Sequence, residues 1–178
     1  MTESVLIIVD MLSPYDYPGA GSVAEGAAPV VERIVESRQE AVASSVPVVY
    51  ANDIDGHFSG SREKVFNDAM EGERPDLVRP LKPDPSDHFL HKGQHSAFYG
   101  TPLAHLLHEW EVKRVVLAGQ VTEQCILYTA FDAHVRHYDI TVLGDCVLDQ
   151  DAELGTAALR MMESNMGATI TESGNWLS

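Results

Sequence analysis

Three side chains with the chemistry of a catalytic site each follow a short apolar run of the chain. Asp10 comes directly after the run SVLIIV, Lys92 directly after DHFLH, and Cys125 shortly after RVVLA, within GQVTEQC. A thiolate is a nucleophile, a carboxylate can accept a proton, and an ammonium can stabilise negative charge. If the three runs are parallel strands of one sheet, their carboxyl ends share one edge, and the three side chains converge there.

Cys125 is predicted to lie in the first turn of a helix that Thr122 opens. The free backbone N–H groups and the positive dipole end at that place favour a thiolate, and the same N–H groups could hold an oxyanion. Taken singly, each of the three residues has an ordinary alternative: a buried core thiol, a turn cap and a surface lysine. The hypothesis of a site therefore depends on their convergence.

The chain alternates short apolar runs with helical patterns. Several runs are continuous rather than alternating, as in strands that are buried on both faces. The alternation predicts an α/β fold, a Rossmann-like three-layer sandwich with a mostly parallel six-stranded sheet and helices on both faces. The predicted strands are residues 4–9, 46–51, 87–91, 114–118, 140–143 and 168–171.

Apolar residues at helical spacing mark the segments between these runs. Thr101 and Pro102 look like the N-cap and first residue of one helix, and Gly167 looks like the stop of the last. A short helix is predicted at 62–70, inside an irregular segment. The predicted buried stripes are Val30, Val31, Ile34, Val35 and Val42; Leu103, Leu106, Leu107 and Trp110; Ile126, Thr129, Ala130, Ala133 and His137; and Leu154, Ala158, Met161 and Met162.

Composition and charge argue against several classes of protein. The 178 residues, 44% of them hydrophobic, are expected to form a single domain, 1–178. No apolar run approaches the roughly 18 residues of a membrane span, and the start MTESVLIIVD lacks the features of a signal peptide, so a cytoplasmic location is expected. The formal net charge of -15 argues against binding to nucleic acid or to an anionic membrane. Two cysteines do not make a disulfide framework.

Three segments together resemble the signatures of a known superfamily. VLIIVDM, KGQHSAFYGTPL and GQVTEQCILYTAFDA have the order and spacing found in the isochorismatase-like cysteine hydrolases. These include nicotinamidases, N-carbamoylsarcosine amidases, and maleamate, ureidoacrylate and biuret hydrolases. The resemblance covers essentially the whole chain. It implies an enzyme without a cofactor that cleaves a C–N bond of a small amide or ureide and releases ammonia or an amine.

The resemblance also implies residue roles. Cys125 would be the nucleophile that forms a thioester with the substrate, Asp10 the general base, and Lys92 the charged partner beside it. The Gln120–Val121 peptide bond would be cis, and the backbone N–H groups of Val121 and Cys125 would form the oxyanion hole.

Two further expectations concern the pocket and the assembly. Tyr15 and Phe98 could line the substrate pocket, although aromatic side chains are equally good core candidates. A homo-oligomer is expected because the family is commonly oligomeric.

The segment after the second run departs from the pattern of metal-dependent nicotinamidases. Those enzymes carry an Asp-x-His-type cluster there, whereas this chain reads NDIDGHFSG, with Asp53, Asp55 and His57. Two carboxylates and one imidazole could bind a metal, but a solvated loop without metal is expected. The first run is followed by Asp-Met-Leu-Ser instead of the familiar Asp-Met-Gln-Asn. The pocket wall, and with it the substrate, is therefore expected to differ.

Two other sets of residues are interpreted as structural. His88, His91 and His95 look like a metal cluster, but His88 and His91 would point to opposite sides of a strand. Cys146, in GDCVLD, is expected to be packed and inert.

Three alternative functions remain open. One is an isochorismatase-type vinyl-ether hydrolase, which would have no need of the thiol. Another is a catalytically silent member of the fold that binds a ligand or a partner, which the complete set of Asp10, Lys92 and Cys125 disfavours. A dinucleotide-binding domain is the third, and it lacks support because no G-x-G-x-x-G follows the first run.

Overall fold

A six-stranded parallel sheet organises the molecule. The computed structural model describes residues 3–53 and 61–177. The strands are β1 (Ser4–Val9), β2 (Val48–Asp53), β3 (His88–Lys92), β4 (Arg114–Gln120), β5 (Asp139–Leu148) and β6 (Thr169–Thr171). They lie in the order β3-β2-β1-β4-β5-β6, and every neighbouring pair is parallel. The predicted α/β fold with a parallel sheet is confirmed.

Helices cover both faces of the sheet. In the central strand β1 every residue is buried, and successive side chains enter two different hydrophobic cores. Leu6 and Ile8 pack in the core that contains Ile34, whereas Val5 and Ile7 pack in the core on the other face. The helices are α1 (Ala20–Glu25), α2 (Ala27–Ala43), α3 (Arg62–Met70), α4 (Pro75–Val78), α5 (Leu103–Glu109), α6 (Leu127–His134) and α7 (Ala152–Met166).

Gly119 lets β4 approach β1 closely at the carboxyl end of the sheet. Its φ is +122°, and a Cβ at this position would lie 2.1 Å from the carbonyl oxygen of Val9. Only glycine fits such a combination of backbone angle and space. The pairing of β4 with β5 shifts register between Leu117 and Gly119. The chain then leaves the sheet through the Gln120–Val121 peptide bond, which is cis.

Several predicted elements differ from the structure in their extent. β5 runs to Leu148 rather than ending at 143, because its pairing with β4 resumes beyond the register shift, at Val147 and Leu148. Cys146 therefore lies within a strand and not after one. Four residues of the predicted stripes are exposed, so their predicted burial is wrong: Val42, His137, Leu154 and Met161. α7 buries Gly155, Ala158 and Met162 instead.

Candidate active site

Lys92 ends β3 with its side chain completely buried. The Nζ atom lies 2.7 Å from Oδ2 of Asp10 and 3.6 Å from Sγ of Cys125. It also donates a hydrogen bond to the carbonyl oxygen of Gln94 (3.1 Å), and Oδ2 of Asp53 is 3.9 Å away. A buried ammonium requires such partners, because desolvation otherwise penalises its charge.

Backbone contacts hold Asp10 at the end of β1. Its φ of 53° lies in the left-handed region, which aspartate tolerates better than most residues. The backbone N–H of Asp10 donates to Ala51 O (3.0 Å), and its carbonyl accepts from Nε2 of Gln120 (2.7 Å). The carboxylate accepts a hydrogen bond at Oδ1 from the N–H of Asp53 (2.8 Å). Oδ2 is thereby turned toward Lys92.

Cys125 lies in a single π-helical turn, Thr122–Ile126, that leads into α6. The carbonyl of Val121 accepts from the N–H groups of Gln124 (3.1 Å) and Ile126 (3.2 Å), which closes this turn. The Cys125 residue is only 9% exposed. The three predicted side chains, Asp10, Lys92 and Cys125, are therefore in contact at one edge of the sheet.

The surroundings of the Cys125 thiol favour its protonated form. Burial first and the charge of Asp10 second raise the pKa of Cys125, Lys92 lowers it, and together they bring it to about 12. The predicted effect of the helix start, which favours a thiolate, acts in the opposite direction to burial and stays a prediction. Burial also raises the pKa of Asp10, although Lys92 acts in the opposite direction. For Lys92, burial opposes the charge, but Asp10 and Cys125 together raise its pKa.

A cavity of about 320 Å³ opens onto the thiol. Asn52 fixes one part of its wall, since its side chain accepts from the N–H of Leu12 (2.9 Å) and donates to the carbonyl of Leu12 (3.0 Å). The described residues that line the cavity are Asp10, Leu12, Ser13, Pro14, Asp16, Tyr17, Asn52, Asp53, His95, Gln120, Val121, Gln124, Cys125 and Gln150.

The family model for the isochorismatase domain matches residues 4–174 of the chain. The chain belongs to the isochorismatase family. The resemblance seen in the three signature segments is thereby confirmed, and the chain is a hydrolase.

Relatives in this family cover nearly the whole chain. The isochorismatase family protein YaaI of Bacillus subtilis is 31% identical over 95% of this chain and 93% of its own length. The maleamate amidohydrolase of Pseudomonas putida is 30% identical over 95% of this chain and 83% of its own length. The nicotinamidase of Staphylococcus aureus is a structural neighbour with a TM-score of 0.74 and 26% identity, over 96% of this chain and 98% of that one.

His95 is a cavity residue that sequence reasoning missed. Its Nδ1 lies 3.7 Å from Sγ of Cys125, and its ring stacks on Tyr128 with 5.4 Å between centroids. In the sequence, His95 stands out only as part of a histidine cluster with His88 and His91. Its position three residues after Lys92, on the loop that leaves a strand end, was the available signal, but the sequence does not specify the path of that loop.

The two aromatic residues suggested for the pocket lie elsewhere in this member of the family. Tyr15 is buried, and its hydroxyl donates to Oε1 of Gln120 at 3.4 Å. Phe98 packs in the hydrophobic core between Tyr138 and Arg136. Of the two roles left open for them, the core role is the one that the structure shows. Tyr17 lines the cavity instead.

Within residues 3–53 and 61–177, no three His, Cys, Asp or Glu side chains come together as metal ligands. Asp55 and His57 lie outside the described residues.

Cys146 is fully buried, and its Sγ lies 3.7 Å from Oγ of Ser37. None of the described helices combines the length and apolar character needed to cross a membrane.

Proposed function

We propose that this hydrolase cleaves a C–N bond of a small amide or ureide through a covalent thioester on Cys125. The observation that carries the proposal is the buried contact of Lys92 with both Asp10 and Cys125, two residues that line a cavity of about 320 Å³. The amidohydrolase activities that two relatives carry in their names support the same reaction class.

The first half of the reaction forms the thioester. Sγ of Cys125 attacks the carbonyl carbon while its proton moves to the carboxylate of Asp10. Because the pKa of the thiol is raised to about 12, Cys125 enters the reaction protonated and needs Asp10 as its base. Lys92 stabilises the negative charge during the proton transfer. The backbone N–H groups of Val121 and Cys125 are the proposed donors to the oxyanion.

The second half releases both products. The C–N bond breaks, and protonated Asp10 gives its proton to the departing nitrogen, which leaves as ammonia or an amine. Water then attacks the thioester and gives a proton to Asp10. The C–S bond breaks, the carboxylic acid product leaves, and the proton returns to Sγ. One water is consumed for each C–N bond that is cleaved.

A panel of small amides and ureides, assayed for ammonia or amine release, tests the proposal. Cys125→Ala should lower turnover by several orders of magnitude, because the nucleophile is removed. The matched control is Cys146→Ala, which removes the other buried thiol and should leave turnover nearly unchanged. Circular dichroism of both variants checks that each is folded. A folded Cys125→Ala protein that retained most of its activity would rule out the thioester.

A further inference from the structure

Acidic side chains are prominent in the described wall of the cavity that opens onto Cys125. Three carboxylates, those of Asp10, Asp16 and Asp53, are among the residues that line it. All twelve lysines and arginines of the chain lie within the described ranges, and none of them lines the cavity. His95 is the imidazole in the described part of the wall.

Lys92 does not supply the missing cation to a ligand. Its side chain is fully buried, and its charge is compensated at 2.7 Å by Asp10. A substrate in the cavity therefore meets a neutralised pair, together with the carboxylates of Asp16 and Asp53. Oδ2 of Asp53 lies 3.9 Å from Nζ of Lys92, so this ammonium also attracts the second carboxylate. Asp16 is the carboxylate of the three that forms no ion pair with Lys92 in the described structure.

We infer that the substrate of this site carries no carboxylate or other anionic group, an inference that rests on the proposed function. A carboxylate that entered the cavity would lose hydration and face like charges without a partner cation, which disfavours its binding. The neutral polar side chains of Gln124 and Gln150 suit an uncharged amide or ureide. The chain would thus differ from the Pseudomonas putida relative, whose name gives maleamate, a carboxylate, as its substrate.

Two alkylating reagents test the charge preference without any turnover. Iodoacetamide and iodoacetate both transfer a two-carbon group to a thiolate with loss of iodide, and they differ by one negative charge. The ionised fraction of Cys125 cancels in the ratio of the two rates. Division by the same ratio for N-acetylcysteinamide, which carries no charge besides its thiolate, then removes the difference in intrinsic reactivity of the two reagents. Peptide mass spectrometry separates Cys125 from Cys146. At low ionic strength, where screening is weak, this normalised ratio should favour iodoacetamide by about tenfold.

Reversal of one charge in the wall provides the matched variant. Asp16→Lys should lower the normalised ratio several-fold, because a cation then faces the reagent. Glu32→Lys makes the same change of charge on the exposed face of α2, away from the cavity, and should leave the ratio unchanged. A ratio near one in the wild type, or equal effects of the two variants, would overturn the inference.

A matched pair of amides extends the test to turnover. Maleamate and its neutral diamide share one carbon skeleton; maleamate carries one scissile amide and the diamide two equivalent ones, so rates are compared per amide. The diamide should have the higher kcat/KM by about tenfold or more, and Asp16→Lys should narrow the difference. Equal or better turnover of maleamate would overturn the inference. If neither amide, nor any other in the panel, released ammonia, the proposed function would fail, and the alkylation ratio alone would decide the charge preference.

Discussion

The thiol of Cys125 is influenced by neighbours that act in opposite directions. Burial and the charge of Asp10 raise its pKa, while Lys92 lowers it. His95 adds a third polar neighbour, with Nδ1 at 3.7 Å from Sγ. The same thiol can therefore stay protonated at rest and lose its proton to Asp10 when a substrate arrives.

His95→Phe should lower kcat/KM about fivefold on any amide that the panel identifies. The change keeps an aromatic ring against Tyr128 but removes both ring nitrogens, and the loss of one hydrogen bond typically has this size. Steady-state ammonia release gives the measurement. Tyr128→Phe, which keeps the ring stack and all of His95, serves as the control and should be close to wild type. Equal activities of the two variants would show that the imidazole nitrogens have no part in the reaction.

Residue types at strand ends allowed most of the site to be predicted. Asp10, Lys92 and Cys125 follow apolar runs that the sequence predicts to be parallel strands, with their carboxyl ends at one edge of the sheet. The order of the strands, which makes the three residues neighbours, could not be predicted. His95 could not be placed, because it lies on a loop whose path no periodicity specifies. The protonation state of the thiol could not be predicted either, since it depends on burial in three dimensions.

At the scale of elements, the exit of β4 determines where Cys125 lies. Gly119 passes close to Val9 with φ +122°, the Gln120–Val121 peptide follows, and the turn Thr122–Ile126 presents the thiol. The sequence predicted a strand followed by a helix here. It did not predict the register shift, which arises from the pairing of β4 with β5, or the π turn, which depends on the path of the backbone at Val121.

Gly119→Ala should destabilise the protein by about 3 kcal/mol or more. The added Cβ would overlap the backbone of Val9 in a conformation that L-residues rarely adopt, so β4 would have to move. Urea denaturation gives the change in free energy of unfolding. The control is Gly21→Ala in α1, where a Cβ would meet nothing within 4 Å and higher helix propensity should stabilise by up to about 1 kcal/mol. A Gly119→Ala protein as stable as the wild type would contradict the close approach of β4 to β1.

At the scale of the whole molecule, the sheet buries several ionisable groups in their neutral form. Burial raises the pKa of Tyr15, Cys125 and Cys146 each to about 12. The fold class itself could be predicted from the alternation of buried apolar runs and helical stripes. The sequence could not predict which individual side chains the helices would bury. Leu154 and Met161 of α7, for example, are exposed.

These buried neutral groups should make the protein sensitive to alkali. Their pKa values are higher in the folded state than in the unfolded state, so the unfolded chain releases protons first, and stability falls as the pH rises from about 9 towards 12. The free energy of unfolding should therefore decrease between pH 8.5 and 10.5, about the range where free thiols and phenols begin to ionise. Cys146→Ala should reduce the slope of the free energy of unfolding against pH by at most about 1.4 kcal/mol per pH unit, because it removes one buried thiol. Identical slopes with and without Cys146 would mean that this thiol ionises equally in both states.

The most direct test of the account is the rate of iodoacetamide reaction at Cys125 as a function of pH, in a Cys146→Ala background. Three proteins are compared: the parent, Lys92→Met and Asp10→Asn, with circular dichroism to confirm folding. Lys92→Met should slow the reaction at neutral pH, because the cation that lowers the thiol pKa is gone. Asp10→Asn should accelerate it, because the charge that raises the thiol pKa is gone, while its turnover falls for lack of a proton acceptor. Three superimposable profiles would contradict a shared site of Asp10, Lys92 and Cys125.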